Sequence, residues 1–205
     1  MVVIGAKGLA KELLEVCHQL GRTDNLAFFD NVSEDVPEFL YGRFPVLRTE
    51  AQVKEHFSNV DRRFALGLGN PRNRLFVSRL FQDWGGTPET IVSPEASIGS
   101  FNTKVGAGAT VMTGSVVTND VVIGEGCLLN LNCTVGHDTF IGRYSELCPG
   151  VHVSGNVAIG EMCFLGTGAV ILPGVKLGEH VVVGAGAVVT KDVLDNKTVM
   201  GIPAK

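Results

Sequence analysis

A six-residue rhythm of apolar and polar positions runs through the second half of the chain. Every sixth residue from Val105 to Val189 is Val, Ile or Leu, and every sixth from Ala109 to Val193 is Ala, Ser, Cys, Thr or Val. One large and one small inward side chain per repeat describe a short flat face and then a corner. A unit this small cannot bury its apolar side alone, whereas stacked copies can, so the pattern predicts a β-solenoid. Three faces close a coil of eighteen residues, coils stack at roughly 4.8 Å, and residues eighteen apart become neighbours. Gly often follows the large residue (Gly106, Gly124, Gly136, Gly142, Gly160, Gly166, Gly178, Gly184), where a corner is expected to need an unusual backbone angle. Ile98-Gly99 reads as a first repeat one residue out of register. The solenoid is expected over about 94–194, followed by a short tail.

The first eighty-odd residues follow another pattern. Val2-Val3-Ile4, Leu26 to Asp30 and Arg63 to Gly69 read as strands. Leu9 to Leu20, Thr49 to Phe57 and Asn70-Pro71 to about Trp84 read as helices, and Pro88 and Pro94 bracket a strand-like Thr90-Ile91-Val92. Strands alternating with helices predict a small parallel sheet of βαβ units. The expected division is 1–88 for this α/β unit and 89–205 for the all-β unit with its tail. Ligands of such sheets sit beyond the carboxyl ends of the strands. Those ends are Gly5, Lys7, Gly8 and Leu9, then Asp30 and Asn31, then Gly69 and Asn70. The glycines allow close backbone approach, the helix opening near Gly8 can hold a phosphate on its amides, and Asp30 can accept hydrogen bonds from a ribose or a base.

Composition narrows the classes. A net charge of −4 without a dense basic run leaves no footprint for nucleic acid. No apolar stretch approaches the ~18 residues of a membrane helix, and Met1 leads straight into a strand without the basic start of a signal peptide. A cytoplasmic protein is expected. Of the five cysteines, Cys127, Cys133 and Cys163 fall in the small inward series, where thiols pack as small hydrophobes. Cys17 lies on an expected helix and Cys148 follows an aliphatic position. No cysteine or histidine spacing suggests zinc, so no metal is expected.

His137 is the leading candidate for chemistry. It lies two positions after inward Val135, so it points away from the core; Asp138 follows it and Asn130 precedes it by seven. An imidazole is the usual general base near neutral pH. Gly155, eighteen residues on, should lie over His137 and leave its N–H open to a developing oxyanion. Gly166 and Gly184, and Thr167 and Ala185, are also eighteen apart and should line a groove of small residues along a prism edge. His18, His56, His152 and His180 read as surface or structural side chains.

The hexapeptide pattern resembles the left-handed parallel β-helix acyltransferases. The stretches Gly136 to Gly142, Gly155 to Gly160, Gly166 to Gly174, Val183 to Val193 and Gly201 to Lys205 narrow this. They resemble the acetyltransferases of nucleotide-linked amino sugars and sialic acids. The N-terminal Gly turn, Asp30-Asn31 and Gly69-Asn70 are similar to that family's nucleotide-sugar unit. The resemblance implies acetyl-CoA as co-substrate, a homotrimer with sites between subunits, His137 as base, and Lys191 and Lys205 at the cofactor's phosphates. It implies direct transfer, with Asp138 orienting the base, Gly155 N–H on the oxyanion and Asn130 at the acceptor. Family members carry a second histidine nine residues after the base, near the acetyl group. Here that position is Glu146, expected at the cofactor or orienting an amine acceptor.

Three other readings are weighed. One is O-acetylation of sialic acid or another sugar. One is a non-catalytic scaffold, which the His137-Asp138 pair beside an open glycine column argues against. The last is a zinc carbonic anhydrase on the same prism, whose three histidines would have to stack. His137, His152 and His180 are separated by fifteen and twenty-eight residues and do not.

Overall fold

The computed structural model describes residues 1–205. Its first unit is β1 (Val2–Ile4), α1 (Gly8–Gln19), β2 (Ala27–Phe29), β3 (Phe39–Leu40), β4 (Phe44–Leu47), α2 (Glu50–Asn59), β5 (Arg63–Leu66), α3 (Pro71–Asp83) and β6 (Thr87–Pro88). The sheet order is β3-β4-β2-β1-β5-β6, parallel throughout except for β3 against β4. The expectation of a purely parallel sheet therefore missed an edge hairpin. Tyr41 and Gly42 turn it with φ of 53° and 63°, and Pro45 sits within β4, where proline usually argues against a strand. The helices begin where local chemistry lets them. Thr49 forms a capping box with Gln52, and the Asn70 side chain caps α3 ahead of Pro71 at the first turn.

From Ile91 onward the chain is a left-handed parallel β-helix of two-residue strands. Face 1 runs from Ile91–Val92 through Leu128–Leu129 and Glu146–Leu147 to Thr198–Val199. Face 2 runs from Ser97–Ile98 through Thr134–Val135 to Val188–Val189, and face 3 from Lys104–Val105 through Phe140–Ile141 to Lys176–Leu177. Val117 pairs with Val135 eighteen residues later but with Ile98 nineteen earlier, so the expected slip is present. The tail adds a strand that the sequence reading left out, Val199 pairing with Val183. Both inward series are buried, apart from half-buried Val105 and Val193 at the two ends, and they form one continuous apolar core.

The corner glycines need a correction. Those directly after the large residue have ordinary φ. They are glycine because the next coil presses on them: a Cβ on Gly124 would lie 2.7 Å from Arg143 N, and one on Gly142 2.5 Å from Glu161 N. The left-handed residue comes two positions later, and every sixth residue from Asn102 to Gly186 has φ between 53° and 75°. These are Gly, Asn or Asp except at the corner between faces 3 and 1, where Tyr144, Met162 and His180 take the same conformation. A bulky residue is strained there. Tyr144 and Met162 pack against the N-terminal unit, with Tyr144 Oη donating to Ser78 Oγ of α3 at 3.2 Å.

All five cysteines are buried and free. Burial pushes Cys127 and Cys148 up to about 12 and Cys17, Cys133 and Cys163 up to about 11. Almost no thiolate is then present at pH 8, and only the thiolate reacts. None of the five should react with a disulfide reagent such as DTNB in the native protein, and all five should react in denaturant. Fast release of one equivalent without denaturant would contradict this packing.

Candidate active site

His137 and Asp138 occupy the corner between faces 2 and 3. Asp138 sits in the left-handed position, φ 54°, which turns its carboxylate back to the preceding ring. Its Oδ2 lies 2.7 Å from His137 Nδ1. A carboxylate there takes the Nδ1 proton as partner and leaves the Nε2 lone pair outward. The His137 side chain is 63% exposed and that of Asp138 57%. Gly155 lies on the next coil directly against the ring: a Cβ added to it would stand 2.7 Å from His137 Nε2. The Gly155 N–H has no acceptor within the chain. Gly136 allows this approach, since a Cβ there would lie 2.6 Å from Gly155 N. The corner thus joins a proton acceptor, its orienting anion and a free N–H donor. Lys191 lies on the same edge, three coils from His137 by the pairing register.

The small-residue column lies on another edge. Asn130, Gly166 and Gly184, with Thr167 and Ala185 beside the last two, follow face 1 and stand at the corner between faces 1 and 2. Gly166 and Gly184 stack eighteen apart as expected, and a Cβ on Gly166 would lie 2.6 Å from Ala185 N. Asn130 is buried and its Oδ1 accepts from Leu131 N at 2.8 Å. Lys205 ends the tail, which returns over face 2 through Ala204 N–H donating to Val188 O.

In the N-terminal unit the three expected loops meet at one sheet edge, because β2, β1 and β5 are adjacent and parallel. Gly5, with φ 99°, is so close to the third loop that a Cβ would lie 2.9 Å from Gly67 O. Lys7 is exposed and pairs with Asp35, 2.5 Å away, while Gly8 and Leu9 open α1. Asp30 Oδ1 accepts from Val32 N and Ser33 N at 3.1 and 2.8 Å, leaving Oδ2 without a partner; Asn31 is exposed. Arg48 braces this loop through the carbonyls of Asp30, Ser33 and Val36.

Glu146 points outward from face 1 but is covered by the third loop. It is 6% exposed, and its Oε2 accepts from Asn70 N at 2.5 Å. Expected at the cofactor or orienting an amine acceptor, it lies within this chain against the candidate sugar-binding edge. The N-terminal unit covers face 1, through Leu128 and Met112 packed with α1 and β1, and Tyr144 packed with α3. The His137 corner is the edge opposite face 1. Within one chain the candidate sugar edge and the candidate base therefore face away from each other.

Comparison with known proteins assigns this architecture. The PglD N-terminal domain model matches residues 1–80, and the bacterial transferase hexapeptide model matches 156–191. Perosamine N-acetyltransferase from Caulobacter crescentus, in a mutant structure with CoA and GDP-perosamine, is 31% identical, with a TM-score of 0.91 over 100% of this chain and 94% of that one. This chain belongs to the hexapeptide-repeat sugar acetyltransferases. The acetyltransferase domain of PglB from Neisseria gonorrhoeae FA1090 is also 31% identical, with a TM-score of 0.90 over 100% and 97%. WeeI from Acinetobacter baumannii AYE is 29% identical, again with a TM-score of 0.90 over 100% and 97%. No curated protein matches the sequence.

One site-organising residue of this acetyltransferase escaped the sequence reading. Arg74 of α3 is 0% exposed. Its guanidinium donates to Leu66 O and Leu68 O at the end of β5 and to Gly126 O and Cys127 O of the β-helix, at 2.8 to 3.1 Å. Pro71, Arg74, Ser78 and Phe81 form the buried stripe of α3. That spacing was visible, but an arginine within it reads as solvent-facing until the fold supplies carbonyls. The acetyltransferase brings no three His, Cys, Asp or Glu side chains together as metal donors.

Proposed function

We propose that this chain transfers the acetyl group of acetyl-CoA to the amino group of a nucleotide-linked amino sugar. The carrying observation is the His137–Asp138 pair set against the free N–H of Gly155, in a chain that matches sugar N-acetyltransferases from end to end. In this reading 1–88 holds the nucleotide sugar and 89–205 the acetyl-CoA. The sugar amine attacks the thioester carbonyl. His137 Nε2 takes the amine proton while Asp138 holds the Nδ1 proton and steadies the imidazolium. Gly155 N–H donates to the carbonyl oxygen as it becomes an oxyanion. Collapse of the tetrahedral species forms the amide, breaks the C–S bond and expels CoA thiolate, which receives the proton from His137. The buried cysteines take no part, so transfer is direct. Gly166, Thr167, Gly184 and Ala185 line the proposed pantetheine groove, Asn130 meets the acceptor, and Lys191 and Lys205 face the phosphates. An amine acceptor is favoured because the Caulobacter relative carries GDP-perosamine beside CoA.

The working unit is proposed to be a trimer with sites between subunits. A chain whose sugar edge lies on face 1 and whose base lies on the opposite edge needs a second copy to close the site. Light scattering should give three chains; a fully active monomer would reject this. The proposed compartment is the cytoplasm, and no helix is long and apolar enough to cross a membrane.

The deciding experiment follows CoA thiol release with UDP-, GDP-, dTDP- and CMP-linked sugars, each with and without a free amine. Turnover confined to amino sugars supports the reading. Turnover on hydroxyl acceptors alone moves it to O-acetylation, and no turnover without acetyl-CoA binding removes it. Gly155→Ala tests the corner itself. Its methyl would displace the exposed imidazole without touching the core, so kcat should fall about 10- to 100-fold with an unchanged melting point. A kcat equal to that of the unaltered protein would mean the ring does not need its place over Gly155.

A further inference from the structure

The third loop of the sugar edge is held differently from the other two. Gly5 is fixed by its N–H to Phe29 O, and Asp30 by the turn it closes, both within the N-terminal unit. The Gly69–Asn70 loop is instead held by the β-helix. Asn70 stands at φ 66°, ψ 113°, a conformation that costs a non-glycine residue free energy and persists only where its surroundings impose it. Two contacts impose it. The Asn70 side chain caps α3 through Arg72 N and Asn73 N, and its backbone N–H donates to Glu146 Oε2. Gly69 leaves room for that carboxylate, since a Cβ there would lie 2.8 Å from Oε1 and 3.3 Å from Oε2.

Packing alone does not call for a carboxylate at this place. The residues paired with Glu146 on face 1 are Leu128 and Phe164, and an apolar side chain would cover the surface as they do. Burying a carboxylate is costly unless it is hydrogen-bonded. Its hydrogen bond from the N-terminal unit comes from one strained N–H at the sugar edge. Its other partners are the Cys148 thiol, 3.9 Å from Oε1, and the charge of the buried Arg74 guanidinium.

Resting on the acetyltransferase reading, we propose that Glu146 is a positioning residue for the nucleotide sugar. It holds Gly69–Asn70 in the shape that receives the substrate and ties the sugar edge to the β-helix. It does so in place of contacting the thioester.

The test compares steady-state constants of Glu146→Ala, Glu146→Gln and Gly69→Ala with those of the wild-type protein, using the best substrate of the panel. Glu146→Ala should raise KM for the nucleotide sugar about tenfold, with KM for acetyl-CoA and the pH profile of kcat unchanged. Glu146→Gln keeps an acceptor oxygen and should stay within about twofold of wild type. Gly69→Ala displaces the carboxylate without removing it and should reproduce the rise in sugar KM. Should Glu146→Ala fail to fold, Glu146→Asp, whose shorter side chain withdraws the carboxylate from Asn70 N, takes its place. Hydrogen exchange should quicken at 69–72 in Glu146→Ala while face 1 stays protected. A raised KM for acetyl-CoA, or unchanged constants with a folded variant, overturns the proposal and leaves the transferase reading standing. Wild-type protein that turns over no nucleotide sugar removes both, and does so before any variant is made.

Discussion

Replacing His137 by Ala is expected to lower kcat between about 10²- and 10⁴-fold, with both KM values close to those of the unaltered protein. The ring is 63% exposed and makes its side-chain contact with Asp138, so its loss takes nothing from the core. A proton acceptor acts chiefly in the transition state, when the attacking amine becomes acidic, which is why kcat should carry the loss. The check is initial-rate kinetics at saturating acetyl-CoA, with circular dichroism to show the coils intact. Asp138→Asn should fall between the two, because an amide orients the ring without stabilising the imidazolium. A His137→Ala protein of full activity would end the general-base mechanism, since no second side chain is poised over Gly155.

Arg74→Leu should destabilise the protein by about 3–5 kcal/mol and lower the melting midpoint by roughly 10 °C. Leucine fills most of the space but leaves the carbonyls of Leu66, Leu68, Gly126 and Cys127 without their donor. Burial pulls the guanidinium down to about 10, so the cation persists at neutral pH and each bond is charge-assisted. Those carbonyls belong to both units, so their separation should show as a second, earlier transition in a scanning melt. A single transition at the wild-type midpoint would mean that water replaces the arginine at no cost.

The β-helix was legible because inward positions recur at a fixed interval, and interval survives ignorance of everything else. His137, Asp138 and Gly155 were legible for the same reason: stacking arithmetic turned eighteen residues of sequence into one contact. Most left-handed positions were present as Gly, Asn and Asp at six-residue spacing, Tyr144, Met162 and His180 excepted, but were masked by the glycines directly after large side chains. Those glycines answer to close approach of the next coil, and local sequence does not distinguish that need from backbone freedom. The hairpin of β3 and β4 was hidden by Pro45 and by a Tyr-Gly turn lacking the usual Asn or Asp. Glu146 and Arg74 were illegible as site-organising residues. Their partners are backbone groups 76 and 52 residues away, and a backbone amide or carbonyl has no letter in the sequence.

The three-faced coil also makes length a quantised variable on this scaffold. Removing eighteen residues from within the prism shortens it by roughly 4.8 Å and returns every later side chain to the edge it left. Removing six turns everything beyond the cut by a third of a revolution, so Lys191 would leave the His137 edge while the inward pattern stayed intact. Such a protein would fold, bury its core and hold its substrates on the wrong sides. Insertions and deletions in this half of the chain are therefore judged by their remainder on division by eighteen, as teeth on a gear are judged by count.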